Sequence, residues 1–325
     1  MPLRWGILGT ARINRMLIPA IRASSRSVLA AVASRTRDRA DRYAAEWSIP
    51  RAFESYAALL DDAAIDVVYI PLPNSLHVEW TIRALDAGKH VLCEKPLALS
   101  VEGIDRIAEA ASRARRVVAE AFMYRHHPIT TEAERLIASG ALGPLETIHG
   151  AFTFALTRES DVRLDPSLGG GSLWDVGCYP VSYACLLAGQ PAEAFGWAEM
   201  AGGVDFAFHG MLRLASDAVV QFDCGFRGPF RAAIEIVGRE ASLTIERPFR
   251  TDERSRLVLT RGDVVEQLRF EAAPAFTGEI DDIERAALGE RAPRVSLAES
   301  RRTTAAITAL YESARRGRVV HVDRR

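Results

Sequence analysis

The chain has 325 residues, 48% of them hydrophobic and 26% charged, which fits a soluble globular protein of two domains with a core large enough to need no staples. Its 41 basic and 42 acidic residues leave a formal net charge of −1, which argues against nucleic-acid and membrane-surface roles, since both call for a basic excess. The four cysteines, Cys93, Cys178, Cys185 and Cys224, show neither CxxC pairing nor zinc spacing and read as buried thiols in a reducing compartment.

The N-terminus, MPLRWGILG, enters a strand-like run at once, with no charged-then-apolar leader, and no apolar run approaches the ~18 residues of a membrane span. A cytoplasmic protein is expected. Strand-like runs follow at Leu3–Gly9, Val28–Ser34, Ile65–Pro71, His90–Cys93 and Val117–Phe122. Helix-like stretches at Ala11–Arg22, Thr36–Trp47, Leu76–Ala87 and Val101–Arg115 separate them, with a smaller strand near Ile49–Phe53 and a short helix at Tyr56–Leu60. This alternation predicts an α/β Rossmann domain, a doubly wound parallel sheet with helices on both faces, over residues 1–121. The nearly all-apolar strands agree with a sheet covered on both sides. Ligands of such sheets bind at the carboxyl rim of the strands.

From residue 122 to 325 the pattern changes to an α+β domain with an open-faced, mainly antiparallel sheet. After a helix at Ile129–Ala138, Phe206, Phe208, Leu212 and Leu214 share one face of a strand, and Ala207, His209, Met211 and Arg213 the other. Val220, Phe222, Cys224 and Phe226 alternate with Gln221 and Asp223 in the next strand. Helices at Thr277–Leu288 and Leu297–Arg315 precede a last strand at Val319–Val322. The apolar alternation at Phe206, Phe208, Val220 and Phe222 motivates a homodimer or higher homo-oligomer through a free sheet face; the same face could instead cover the domain's own helices.

Three segments carry chemistry. In WGILGTARIN a strand meets a tight turn and a helix, the place where backbone amides at a helix N-terminus cradle a pyrophosphate. The GxGxxG frame reads Gly9, Ala11 and Asn14, so only the first glycine is kept, and an ordinary strand-turn-helix is the competing reading. Gly9, Thr10, Ala11, Arg12 and Ile13 form the candidate cradle. At the end of the second strand Ser34 occupies the position of a ribose-binding acid, followed by Arg35 and Arg39. A carboxylate would repel a 2′-phosphate, whereas a hydroxyl and guanidinium groups accept one, so NADP is expected over NAD. A solvated helix face is the alternative for these arginines. In GKHVLCEKPLALS an apolar run ends in Glu94-Lys95-Pro96, where proline limits how far Lys95 can wander. A lysine reaching to solvent beside Glu94 is the alternative.

Five segments, WGILGTARIN, PLPNSLHVEW, GKHVLCEKPLAL, EAFMYRHHP and GGGSLWDVGCYPV, together resemble the Gfo/Idh/MocA oxidoreductases. The nearest branch contains the dimeric dihydrodiol dehydrogenases, glucose–fructose oxidoreductase and NADP-dependent D-xylose dehydrogenases. The resemblance implies a nicotinamide enzyme acting on a sugar, polyol or trans-diol. It implies Lys95 beside nicotinamide and substrate, Glu94 close to the cofactor, Tyr179 as acid/base and Asp175 lining the pocket. Many other branches carry histidine where this chain has Tyr179. Hydride transfer from a carbinol needs a group to take the hydroxyl proton, and a nearby ammonium favours a tyrosinate. Pro71, Leu72, Asn74, His77 and Arg125 complete the expected cofactor contacts; capping for Asn74 and a salt bridge for Arg125 stay open as alternatives. No metal is expected, since His126-His127 lacks an accompanying carboxylate-histidine frame. The glycines before Trp174 suggest either a mobile loop over the pocket or an ordinary connection. The competing functions are an NAD-dependent glycoside hydrolase that recycles its cofactor and a non-catalytic NADP-binding sensor.

Overall fold

A computed structural model describes residues 2–158, 160–271 and 273–323. In chain order the elements are β1 (Leu3–Leu8), α1 (Asn14–Ala23), β2 (Ser27–Ala33), α2 (Arg37–Glu46), β3 (Arg51–Phe53), α3 (Tyr56–Leu60), β4 (Val67–Ile70), α4 (His77–Asp86), β5 (His90–Glu94), α5 (Val101–Ala114) and β6 (Val118–Ala121). Then come α6 (Pro128–Ala138), β7 (Leu145–Thr153), a π-helical turn (Leu173–Gly177), α7 (Cys178–Ala188), β8 (Pro191–Ala201), β9 (Val204–Leu214), β10 (Val219–Gly225) and β11 (Arg231–Gly238). The chain continues through β12 (Ser242–Glu246), β13 (Arg256–Arg261), β14 (Val264–Leu268), α8 (Thr277–Ala287), α9 (Leu297–Arg316) and β15 (Val320–His321).

Two compact units result. One comprises the chain through Met123 together with Phe276–Leu297; the other comprises Tyr124–Ala275 and the chain from Ala298 on. The sequence-drawn boundary at 121/122 lies two residues from the first crossing. It gives no sign that α8 returns to the first unit, where it packs on α1 and β6. The return is fastened by buried polar contacts. Glu284 of α8 accepts from the hydroxyls of Ser24, at 2.9 Å, and Ser27.

In the first unit the described strands form a six-stranded sheet in the order β3-β2-β1-β4-β5-β6, with every pairing parallel. The order reverses between β1 and β4, so the crevice at the strand carboxyl ends opens there. Leu8, Ala31, Ala33, Val68, Ile70, Val91 and Cys93 form its core with Leu85, Ile104 and Ile107 from the covering helices. Burying each larger aliphatic side chain stabilises the fold by about 1.5–3 kcal/mol. Helix α5 starts where Ser100 caps the Gly103 amide and ends at Arg115, which takes a left-handed conformation.

In the second unit the described strands form a nine-stranded sheet, β14-β13-β12-β11-β7-β10-β9-β8-β15. It is antiparallel except for β7 and β10, which run parallel. One pairing of the mainly antiparallel sheet read from sequence is therefore parallel, because β7 inserts between β10 and β11. Phe208, Leu212, Val220, Phe222, Ile234 and Ile236 line one face and are buried. That face is covered within the unit by the π turn and α7, whose residues 178–185 are all buried. Phe208 and Phe222, read as motivation for an oligomer contact, thus serve the unit's own core, stacked with centroids 6.4 Å apart. The outward face instead shows Phe195, Trp197 and Met211, on β8 and β9.

Candidate functional site

The turn after β1 shows why one glycine suffices. Gly9 has φ +107°, and a Cβ there would lie 3.1 Å from Leu72 Cδ2, so both conformation and space select glycine. Asn14, at the third motif position, is wholly buried, and its Nδ2 donates to the Gly9 carbonyl at 3.0 Å. A side-chain hydrogen bond thus closes the turn that a third glycine closes elsewhere. The Gly9 amide donates to Ala33, which sets β1 beside the end of β2 and Ser34. A cleft of about 400 Å³ is lined by Thr10, Ala11, Arg12, Arg15, Arg39, Arg42, Tyr43, Glu46 and Trp47. Arg39 is held in place by donating to Thr10 Oγ1 at 2.7 Å. Burial raises the Tyr56 phenol pKa, and the Arg35 and Arg39 guanidinium groups oppose that rise. The structure therefore brings Thr10, Ala11, Arg12 and Arg39 together and adds Arg15 and Arg42. These two are unremarkable in sequence except by helical spacing from residues already singled out.

The Glu94-Lys95-Pro96 triplet begins at the last residue of β5, and three contacts fasten it and the residue after it. Tyr69, wholly buried on β4, donates its hydroxyl to Glu94 Oε1 at 2.6 Å. Burial, then the Glu94 charge, pushes the Tyr69 phenol well above its usual range, so it remains a donor. Glu120 on β6 accepts from the Leu97 amide at 2.8 Å. The His77 ring lies 2.7 Å from the Pro96 carbonyl through Nδ1 and 2.8 Å from the Leu72 carbonyl through Nε2. His77 is wholly buried, and desolvation lowers its pKa. Both ring nitrogens of His77, a residue expected among the cofactor contacts, face backbone carbonyls, and the neutral ring donates to one of them, that of Leu72 in the loop after β4 or that of Pro96 in the triplet. Lys95 itself is half-buried, as are Glu94 and Asn74, while Pro71 and Leu72 are buried.

In the second unit, Tyr179 stands in the first turn of α7, 6% exposed and ringed by Tyr124, Phe152 and Phe249 at centroid distances of 5.9, 5.3 and 5.2 Å. The π turn ahead of it explains how Pro180 is accommodated. Pro180 lies in the first turn of α7, where a missing amide costs least, and the wider π geometry precedes it. Asp175, within the π turn, accepts from Arg163 Nε at 2.6 Å, and Arg163 also pairs with Asp161. The Asp175 charge, ahead of that of Asp161, raises the Arg163 pKa. Sequence reading missed Arg163, which lies 12 residues from Asp175 in a segment without periodicity.

The glycine segment is packed: the Gly171 amide donates to the Arg163 carbonyl at 2.9 Å, and that of Gly170 to Asp165 at 3.0 Å. Arg125, expected at the cofactor or in a salt bridge, is 3% exposed and donates to Glu299 Oε1 at 2.8 Å, the salt-bridge alternative. His127 is buried with its ring edge-on to Phe270 and accepts from the Ile129 amide. All four cysteines are buried. Among the described residues no helix is long and apolar enough to cross a membrane.

Known proteins match along this whole architecture. The family model described as "Oxidoreductase family, NAD-binding Rossmann fold" covers residues 3–122, and the Gfo/Idh/MocA C-terminal domain covers residues 130–244. The chain is 38% identical over 328 residues to D-xylose 1-dehydrogenase (NADP(+)) 2 of Haloferax volcanii, covering 99% of this chain and 100% of that one. Its fold superposes on the aldose-aldose oxidoreductase of Caulobacter crescentus, crystallised with glycerol, with a TM-score of 0.92 and 27% identity over 99% and 100% of the two chains. A 3-ketoreductase from Actinomadura kijaniata, crystallised with NADP and TDP-benzene, gives a TM-score of 0.90 at 30% identity over 96% and 98%.

Proposed function

The chain belongs to the Gfo/Idh/MocA oxidoreductase family, and on that premise we propose that it transfers a hydride between NADP and the hydroxyl- or carbonyl-bearing carbon of an aldose, polyol or trans-diol. The observation that carries the reading is an arginine-lined cleft at the end of β1, together with Ser34 in place of an acid after β2. No carboxylate stands at that position, and Arg12, Arg15, Arg39 and Arg42 converge on a space of about 400 Å³ at the end of β1. Such a cleft fits a 2′-phosphate and disfavours the plain ribose of NAD.

The residues 1–121 domain, joined by 276–297, is the dinucleotide-binding part, and the rest of 122–325 supplies the substrate-binding and oligomerisation surfaces. Gly9, Thr10, Ala11, Arg12 and Ile13 hold the pyrophosphate at the N-terminus of α1. Ser34, Arg35 and Arg39 hold the 2′-phosphate. Pro71, Leu72 and Asn74 flank the nicotinamide ribose, with Glu94 and Lys95 nearest the ring. The bound nicotinamide supplies a hydride acceptor for oxidation and a donor for reduction.

Tyr179 takes the substrate hydroxyl proton during oxidation and returns it to the carbonyl oxygen during reduction. Lys95 favours the tyrosinate through its charge and hydrogen-bonds the same oxygen. Asp175, steadied by Arg163, lines the pocket and orients the substrate hydroxyls. The proposed setting is the cytoplasm, in keeping with four buried thiols, as a homodimer or larger homo-oligomer.

The test is a screen of aldoses, polyols and trans-diols for NADP reduction. Using substrate deuterated at the reacting carbon, mass spectrometry should find deuterium in the NADPH formed. Sugar release from a glycoside without net NADPH would instead mark a cofactor-recycling hydrolase. Tight NADP binding with neither reaction would mark a sensor.

A further inference from the structure

Outside the residues already given a role, one buried carboxylate is engaged in a way that core packing alone does not call for. Asp205, on β9, is 1% exposed. Its Oδ2 accepts from the Ser172 hydroxyl and from the Leu173 amide, each at 2.7 Å. Its Oδ1 accepts from the Tyr311 hydroxyl of α9, also at 2.7 Å. The donors lie 33, 32 and 106 residues away in sequence, so the carboxylate ties three separate segments of the second unit.

The local chain is shaped to it. Gly171 has φ +121°, and a Cβ there would sit 2.2 Å from Asp205 Oδ1, so the carboxylate occupies the space of a side chain. The Tyr311 ring is held between Trp174 and Phe208, with both centroid distances 5.6 Å. Burial raises the Asp205 pKa despite its three hydrogen bonds.

A buried carboxylate costs more than an apolar residue of similar size, so its retention points to geometry rather than stability. The geometry in question is the entry to the π turn. Single π turns are uncommon and are found mostly at functional sites. Ser172 leads into this one, Leu173 opens it, Asp175 is its centre, and Tyr179 follows in the first turn of α7.

We propose that Asp205 and Tyr311 form a positioning pair that fixes the entry to the π turn and, through it, the placement of Asp175 and Tyr179. The proposal rests on the reading of Tyr179 as the acid/base. The pair's hydrogen bonds on Asp205 join it to Ser172 and Leu173 at the start of the π turn.

Tyr311→Phe keeps the ring and deletes one donor. With NADP and the best substrate from the screen, measured well below the melting temperature, kcat should fall about 10- to 10²-fold, the scale of a small misplacement at a reacting centre. The KM for NADP should stay within about twofold. In a Tyr179→Phe background the same change should cost clearly less in kcat than in the unaltered enzyme, because part of its effect passes through that residue. Asp205→Asn, which keeps the shape and part of the acceptor set, should give a smaller loss with the same lack of additivity.

Unchanged kcat with only a lower Tm would overturn the proposal, as would losses that multiply in the double variant. If Tyr311→Phe does not fold, Asp205→Asn is read by the same criteria; failure of both to fold makes the pair a plain structural brace and also overturns it. Tyr179→Phe alone with full turnover would instead remove the acid/base reading, whatever Tyr311→Phe does.

Discussion

At Ser34 the second strand ends without a carboxylate, and the Arg39 guanidinium is held to Thr10 at 2.7 Å. A charge-assisted hydrogen bond to phosphate is worth about 1.5–3 kcal/mol, or roughly 10- to 10²-fold in binding. Arg39→Ala should therefore raise the KM for NADP by about that factor and leave the KM for NAD nearly unchanged. Steady-state kinetics with both cofactors checks this, and an unaltered ratio would dismiss the 2′-phosphate contact. A single residue was legible where its conformation follows from a motif, as with Gly9 in the tight turn after β1. Others were illegible where the deciding partner lies in another element. Nothing in PNSLH says that the ring nitrogens of His77 will face the carbonyls of Leu72 and Pro96. Arg163 and Asp205 act through contacts that only the folded chain creates.

Elements were easier to read than their connections. Apolar runs bounded by turn residues marked all six strands of the parallel sheet, because strands covered on both faces need unbroken hydrophobicity. The π turn was not legible. A proline ring at position 180 would clash with the Val176 carbonyl inside a regular helix, which points to an irregularity without saying that a π turn answers it. The parallel β7–β10 pair and the return of α8 to the first unit were likewise set by long-range packing that local periodicity does not encode.

One prediction belongs to β5. His90 Nδ1 accepts from the Val117 amide at 3.1 Å, and burial, with the Arg116 charge adding to it and Asp66 opposing, lowers its pKa to about 4. The unfolded value is about 6.5. Between those values the unfolded chain binds more protons, so this contribution to stability is present above pH ~6.5 and is lost as the pH falls toward about 4. Urea denaturation at pH 7 and pH 5 should show that loss, and His90→Gln should reduce it. An equal slope in that variant would clear His90 of the effect.

For the whole molecule, the outward face of the nine-stranded sheet is the feature that asks for a partner. Trp197 is 70% exposed there, with Phe195 and Met211 paired across β8 and β9. Aromatic and methionine side chains of this kind are enriched at protein interfaces. The proposed homodimer should give twice the 35.6 kDa chain mass in light scattering, and Trp197→Glu should return it to the monomer mass. A wild-type monomer at micromolar concentration would contradict the assignment.

The proposed chemistry depends on Tyr179 moving a proton while Lys95 supplies the charge that favours its phenolate. The most direct test is the turnover of Tyr179→Phe at saturating NADP and substrate, with NADP binding measured on the same protein. The account predicts a fall of about 10²- to 10⁴-fold with NADP affinity unchanged. Turnover equal to that of the unaltered enzyme would contradict it.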